Sequence, residues 1–316
     1  MGMLSDLNQR LELEMGKAII GQKQVIEQLI VCFLSGGHCL LEGVPGIAKT
    51  LLAKSLAAAL GGVFHRIQFT PDLMPSDILG TNVFNPESRT FQFVKGPVFC
   101  DLLLADEINR TPPKTQSALL EVMEERQITI DGTRHVFPNH FFVIATQNPI
   151  EYEGTYPLPE AQVDRFMMKI VISYPAAGEE MELYESYSLD PQFAHSRQGS
   201  ITAVFPVASV STVRGETQKI RIEKPVLEYL QAIVQRTRES PQLLLGCSPR
   251  AGIALLLCSK TLAALRGRDF VTPDDIKENA WPVLRHRLIL KPEAEVEGIT
   301  TDQIIQSVLQ SVKVPR

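Results

Sequence analysis

Residues 43–50 of this chain read GVPGIAKT. Two glycines, a lysine and a hydroxyl at this spacing suit a loop that cradles phosphates. Its backbone N–H groups point inward, the cation reaches the outer phosphates, and the hydroxyl serves Mg²⁺. Gly43 and Gly46 supply the turns, Lys49 the cation and Thr50 the hydroxyl; Val44, Pro45, Ile47, Ala48 and Leu51 complete the candidate phosphate-binding run. Thr50 stands at the mouth of a helix, where unpaired N–H groups favour phosphate. The general pattern has glycine where Ala48 stands. Its methyl group is tolerable on right-handed backbone, which is the expectation, and would be a problem on left-handed backbone. A glycine-rich turn with no ligand would share these glycines, so a second signal is needed.

That signal is LLLADE, residues 102–107, an apolar run ending in two acids. Open α/β sheets place their ligand sites at the carboxyl ends of strands. There Asp106 can hold the Mg²⁺ shell and Glu107 can polarise the attacking water, the two tasks that phosphoryl transfer requires. Adjacent acids are common at any helix start; after a phosphate loop and an intervening strand they point to ATP or GTP hydrolysis with Mg²⁺.

These groups need elements to position them. The spacing predicts strands over 38–42, 100–107, 140–147 and 167–175, and helices over 50–60 and 114–125. Near-continuous apolar strands separated by helices indicate a parallel sheet covered on both faces, an α/β fold. Two hairpins are predicted, over 81–96 and over 126–137, the second carrying the Asp131-Gly132 turn signal. After Pro175 the chain turns helical, with a polar, poorly periodic stretch over about 188–220. Ser248-Pro249 and Thr272-Pro273 read as helix starts, with Ser or Thr at the cap and Pro at the first helical position. The second part is therefore expected to be all-helical.

Composition narrows the function. The chain carries 31 basic and 36 acidic residues, a formal charge of −5, which gives no general attraction to nucleic-acid backbones. No apolar run is long enough to cross a membrane, and the start lacks the basic flank and apolar core of a signal peptide. Five scattered cysteines in apolar surroundings read as buried free thiols of a reducing compartment, so the cytoplasm is expected.

Five stretches carry a resemblance: IIGQ at 19–22, LLEGVPGIAKT at 40–50, LLLADEINRTPPKTQSALLEVMEERQ at 102–127, FFVIATQNPIEYEGTYPLPEAQVDRF at 141–166 and SPRAG at 248–252. On these the chain resembles the MoxR family of AAA+ ATPases, in the helix-2-insert group related to magnesium chelatase ATPase subunits. The resemblance covers essentially the whole chain. It implies an AAA+ P-loop core with a parallel five-stranded sheet over 1–177 and a smaller helical lid over 178–316. Ala-Lys-Thr is common at the end of that family's phosphate loop.

Residue by residue, the resemblance implies that Lys49 and Thr50 bind the β- and γ-phosphates and Mg²⁺, Asp106 the metal shell, and that Glu107 activates the water. Asn148 matches the polar sensor that orients that water. Arg165 matches the arginine finger given to a neighbouring subunit, and Arg250 the second sensor on the lid. Ile19 and Ile20 fall where the family lines the adenine pocket, which favours ATP. The residues themselves admit plainer roles. Asn148 can turn the chain before Pro149, and Arg165 can pair locally with Asp164. Arg250 stands in the first turn of its helix, the disfavoured end for a cation, so a nearby anion would explain it. Arg110 could face a subunit junction, and the hairpins as a region would face a pore or partner; Phe91 and Phe93 are candidates for that contact, although hairpin aromatics more often pack onto their own domain.

The resemblance further implies a homo-hexameric ring, a chaperone-like remodeller or inserter of cofactor or metal, and a separate von Willebrand factor A domain protein beside the client. Two other readings stand: a DNA-acting motor or transcriptional regulator, and a nucleotide-dependent scaffold of low turnover. Negative charge and the lack of a nucleic-acid-binding signature weigh against the first; intact Lys49, Thr50, Asp106 and Glu107 weigh against the second.

Overall fold

The computed structural model describes residues 2–148 and 154–315, so part of the 141–166 stretch lies outside the described residues. The first part runs α1 (Gly2–Gly16), α2 (Lys23–Leu34), β1 (Cys39–Glu42), α3 (Lys49–Ala59), β2 (Phe64–Gln68), α4 (Pro75–Leu79), β3 (Gly80–Asn85), β4 (Thr90–Lys95) and β5 (Leu102–Asp106). It continues with α5 (Pro113–Glu125), β6 (Gln127–Ile130), β7 (Thr133–Val136), β8 (Phe142–Gln147), α6 (Glu160–Val163) and β9 (Met168–Val171). The helical part runs α7 (Ala177–Leu189), α8 (Phe193–Gly199), α9 (Val210–Gln218), α10 (Lys224–Arg238), β10 (Leu243–Leu245), α11 (Pro249–Leu265), α12 (Pro273–Leu284), β11 (Ile289–Leu290), α13 (Pro292–Val296) and α14 (Thr301–Ser311).

Five strands form one sheet in the order β2-β5-β8-β1-β9, and every pairing in it is parallel. A parallel five-stranded sheet followed by a helical part is the arrangement that the resemblance implied. The central strands β5 and β8 are apolar at nearly every position because both faces of the sheet are covered. Side chains alternate between two cores with the two-residue period of a strand. Leu102, Leu104, Phe142 and Ile144 enter one; Leu103, Ala105, Val143 and Ala145 enter the other, with α5. The first core continues into α1 and the helices α9 to α12 and α14, so sheet and lid share buried apolar surface. α2 is apolar almost all round and is buried accordingly.

Both hairpins form, β3 with β4 and β6 with β7, and Asn82 Nδ2 donates to Asp131 Oδ2 between them. All five cysteines are buried free thiols. Burial raises the thiol of Cys247 to about 11. The poorly periodic stretch holds two short helices, α8 and α9; α9 buries only Val210, Val213 and Thr217, too few positions to mark a clear period. The lid also contains a small antiparallel pair, β10 with β11, unmarked in the sequence because LLL reads equally as buried helix. No helix among the described residues is long and apolar enough to cross a membrane.

His38, at the entry to β1, fastens the sheet to α5. Its Nε2–H donates to Met123 O at 3.1 Å, and its Nδ1 accepts from Val143 N–H at 3.0 Å. Burial depresses its pKa from 6.5 to about 3, so the imidazole is neutral. His286, buried against Phe166 O, is depressed for the same reason. The unfolded chain therefore binds more protons below pH 6.5, and stability present at neutral pH is lost as pH falls. Each histidine contributes a slope of up to about 1.4 kcal/mol per pH unit. Denaturant unfolding between about pH 7 and about pH 5 should show that loss, with a shallower slope in His38→Gln; parallel slopes would remove His38 from the account.

Candidate active site

The loop 43–50 leaves β1 and enters α3. Gly43 is required for space: a Cβ there would lie 2.2 Å from Ile47 Cδ1 and 2.9 Å from the Ile172 carbonyl. Gly46 is required for conformation, with φ +85° and no atom near its missing Cβ. Lys49 Nζ reaches back across the loop to donate to Gly43 O at 2.8 Å. Thr50 follows in the first turn of α3, where N–H groups are free of helical partners.

Ala48 corrects the expectation. It has φ 62° and ψ 24°, the left-handed region, immediately before α3. A reversal is needed there to bring the chain from the loop into the helix, and alanine carries it at a cost of about 1–2 kcal/mol. The local backbone thus demands what glycine would do more easily.

Asp106 and Glu107 stand at the carboxyl end of β5, as the strand pattern implied. Asp106 is buried, and both of its carboxylate oxygens have partners. Its Oδ1 accepts from Thr146 Oγ1 at 2.6 Å, and its Oδ2 accepts from Arg66 Nη2 at 2.7 Å and Nε at 3.0 Å. Glu107 is also left-handed, φ 58°. Its N–H donates to Thr146 Oγ1 at 2.8 Å, so one threonine on β8 orients both acids. Glu107 Oε2 accepts from Gln68 Nε2 at 2.7 Å and pairs with Arg110 Nε at 3.1 Å. Arg110 therefore serves this acid within its own chain. Asn148, buried just past β8, lies at the same sheet end.

Arg66, Gln68 and Thr146 were not singled out by sequence. Arg66 and Gln68 share a face of β2, and Gln68 pairs in register with Asp106. The alternation was visible; the neighbour was not, because strand order is a tertiary fact.

Arg165 and Arg250 lie elsewhere. Arg165 stands three residues before the start of β9, whose Met168 pairs with Cys39 at the start of β1. The phosphate loop follows the end of β1, a strand length of about 13 Å away along the sheet. Both arginines are held by Glu124 at the end of α5: Arg165 Nη1 at 3.1 Å from Oε2, Arg250 Nη1 at 3.5 Å from Oε1. Arg165 Nη1 also donates to Leu120 O at 3.0 Å. The anion that explains a cation at the start of α11 is, within one chain, this glutamate. The arginines border a cleft of about 260 Å³ whose walls also include Arg126, Arg287, Glu124 and Asp164. Four cations against two acids favour an incoming anion. Burial lowers the Arg126 pKa, as expected for a cation with carbonyl partners only.

Ile19 is buried, and with Ile20 it edges a cleft of about 650 Å³ between α1, α2 and Glu182 of α7. Gln22 donates to Ser173 O at 2.8 Å, and the neighbouring Ile172 carbonyl lies against Gly43. This links residues 19–22 to the phosphate loop through the end of β9. In the hairpins Phe93 packs on His135 and Phe99, whereas Phe91 is exposed beside Phe84.

The residues fit a nucleotide with its Mg²⁺. The surroundings of Gly46 are open, Lys49 and Thr50 stand where outer phosphates would lie, and Asp106 offers a carboxylate to a metal shell. Mg²⁺ is commonly held by one or two carboxylates together with substrate phosphates. No cluster of three or more His, Cys, Asp or Glu suited to a metal exists among the described residues.

Residues 38–168 match the family model of the ATPase family associated with various cellular activities (AAA), and residues 235–308 match that of the AAA lid domain. A Mycobacterium tuberculosis protein named Chaperone MoxR1 is 43% identical over 96% of this chain and 81% of its own. Bacillus subtilis YeaC is 43% identical over 95% of this chain and 92% of its own. A crystal structure from Cytophaga hutchinsonii superposes with a TM-score of 0.91 at 44% identity, covering 99% of this chain and 96% of that one.

The left-handed Ala48 gives a test by sign. Ala48→Gly should be neutral or stabilising, within about 1 kcal/mol, because relief of strain offsets the greater freedom of the unfolded chain. Ala48→Val should destabilise and weaken nucleotide binding, since a β-branched residue is poorly accommodated there. Thermal unfolding of the two variants checks this: a clear loss of stability in Ala48→Gly would mean that the position is right-handed.

Proposed function

The chain belongs to the MoxR family of AAA+ ATPases, and from that membership we propose that it hydrolyses ATP at sites shared between adjacent copies in a hexameric ring. One observation carries this reading. The phosphate loop, Asp106 and Glu107 occupy one end of the sheet, while Arg165 and Arg250 occupy the other. A second copy must bring its arginines to the first copy's nucleotide.

In this reading Lys49 and the N–H groups of 43–50 hold the phosphates, and Thr50 and Asp106 hold Mg²⁺. When bound, Mg²⁺ neutralises charge on the transferring phosphoryl group. Glu107 orients the attacking water and draws its proton, and Asn148 helps place that water. Ile19 and Ile20 flank the base. Arg165 and Arg250 of the neighbouring copy offset the negative charge that develops in the transition state. Their hold on Glu124 is weak, because Arg165 and Arg250 are 30% and 49% exposed in these pairs. Such pairs contribute about 0–1 kcal/mol, so exchange for a phosphate is easy.

The cycle drives remodelling, maturation or cofactor insertion in a client protein, together with a separate von Willebrand factor A domain protein. The chaperone name of the Mycobacterium relative supports a protein client. So does a net charge of −5, which gives no general attraction to nucleic acid. Five buried free thiols suit the cytoplasm.

Glu107→Gln should lower kcat by about 10² or more while ATP still binds. Arg165→Ala should lose about 10³ or more. Mixed together, the two variants should regain turnover at junctions pairing an intact Glu107 with an intact Arg165. A co-assembled mixture that stays inactive would sink the shared site.

A further inference from the structure

Arg287 lies just past the carboxyl end of α12, buried, and its side chain is fully engaged. Nε donates to Asp164 Oδ1 at 2.5 Å; Nη2 donates to Phe166 O at 2.7 Å and Asp164 O at 3.3 Å. Nη1 donates to Met167 O at 3.1 Å and to Val283 O. Four of these acceptors belong to residues 164–167, the segment that carries Arg165. The fifth is a carbonyl in the last turn of α12. The adjacent His286 adds a bond from Nε2–H to Phe166 O at 3.0 Å. Met167 N–H donates in turn to His38 O at 2.8 Å, which fixes the segment to the entry of β1.

A guanidinium has five N–H donors in a rigid planar fork and no other orientation satisfies this set. A buried ion pair is weak evidence for stability, since apolar packing can serve as well. The arginine adds direction: it sets the carbonyls and the carboxylate on both sides of Arg165 relative to the end of α12. α12 packs along α11, which carries Arg250 in its first turn. A change in the tilt of this helix pair is therefore felt by Arg165 and Arg250 together.

We propose that Arg287 is a positioning residue that couples the lid to Arg165, so that the lid's orientation in one copy sets whether Arg165 meets the next copy's nucleotide. This rests on the shared-site reading above. Arg287 touches no nucleotide of its own copy, whose phosphate loop lies at the other end of the sheet.

The test uses full-length Arg287→Lys, which keeps the charge and loses the fork, and Asp164→Asn, which removes the carboxylate charge from the Arg287 pair without altering a lid residue. Each should lower kcat by about 10², the effect of misplacing a group by about an ångström. KM for ATP should stay within about twofold, because binding at the copy's own loop is intact. Either variant mixed with Glu107→Gln should regain turnover, as Arg165→Ala does. Adding Arg287→Lys to Arg165→Ala should cost nothing further, since both act through one group. Wild-type turnover in both variants overturns the proposal, as does a parallel loss of ATP affinity. If Arg165→Ala is rescued by Glu107→Gln and neither Arg287→Lys nor Asp164→Asn is, the coupling fails and the shared site stands. If Arg165→Ala is not rescued either, both fall.

Discussion

All five strands of the central sheet point the same way, and the rest of the molecule follows from that polarity. A parallel sheet has two chemically distinct ends. The loops that follow strands carry the phosphate loop, Asp106, Glu107 and Asn148. The segments that precede strands carry His38 and Arg165, with Glu124 close by at the end of α5. Because the backbone hydrogen bonds of the sheet fix the strand ends relative to each other, the two groups of residues cannot approach within one chain.

Left-handed backbone in residues other than glycine occurs at Gln22, Arg89, Arg126 and Asp131 as well as at two positions of the candidate site. Ala48 and Glu107 both adopt left-handed backbone, each at a strand-to-helix transition beside the nucleotide loop. Side chains other than glycine persist in that region only where surroundings over-determine them. Around Glu107 those surroundings are visible: Thr146 takes its N–H, while Gln68 and Arg110 hold its carboxylate. Around Ala48 they are the glycine turn at Gly46 before it and α3 after it.

Much of the site was legible along the chain because its signals are local. GVPGIAKT and LLLADE are contiguous, and their residue types mark them as candidates whatever the partners. The sheet was legible for the same reason, since β5 and β8 are apolar at consecutive positions only when covered on both faces. The expectation for Ala48 failed because residue type sets a preference for φ and the closure of a loop sets its value. Arg66, Gln68 and Thr146 were invisible because each acts across strands, and Arg287 because four of its five acceptors lie more than a hundred residues away.

The sequence by itself determined that this chain binds and cleaves a nucleotide and that a parallel sheet with a helical lid carries the site. Those properties follow from short runs of residue type and from hydrophobic period. Tertiary structure decided which groups meet. It put Arg66 and Thr146 on Asp106, set Arg165 and Arg250 on one glutamate at the far end of the sheet, and tied the lid to Arg165 through one guanidinium. The physical reason is that strand order and helix docking are fixed by the burial of whole faces, a sum over many residues, so no local pattern names the neighbours of any one of them.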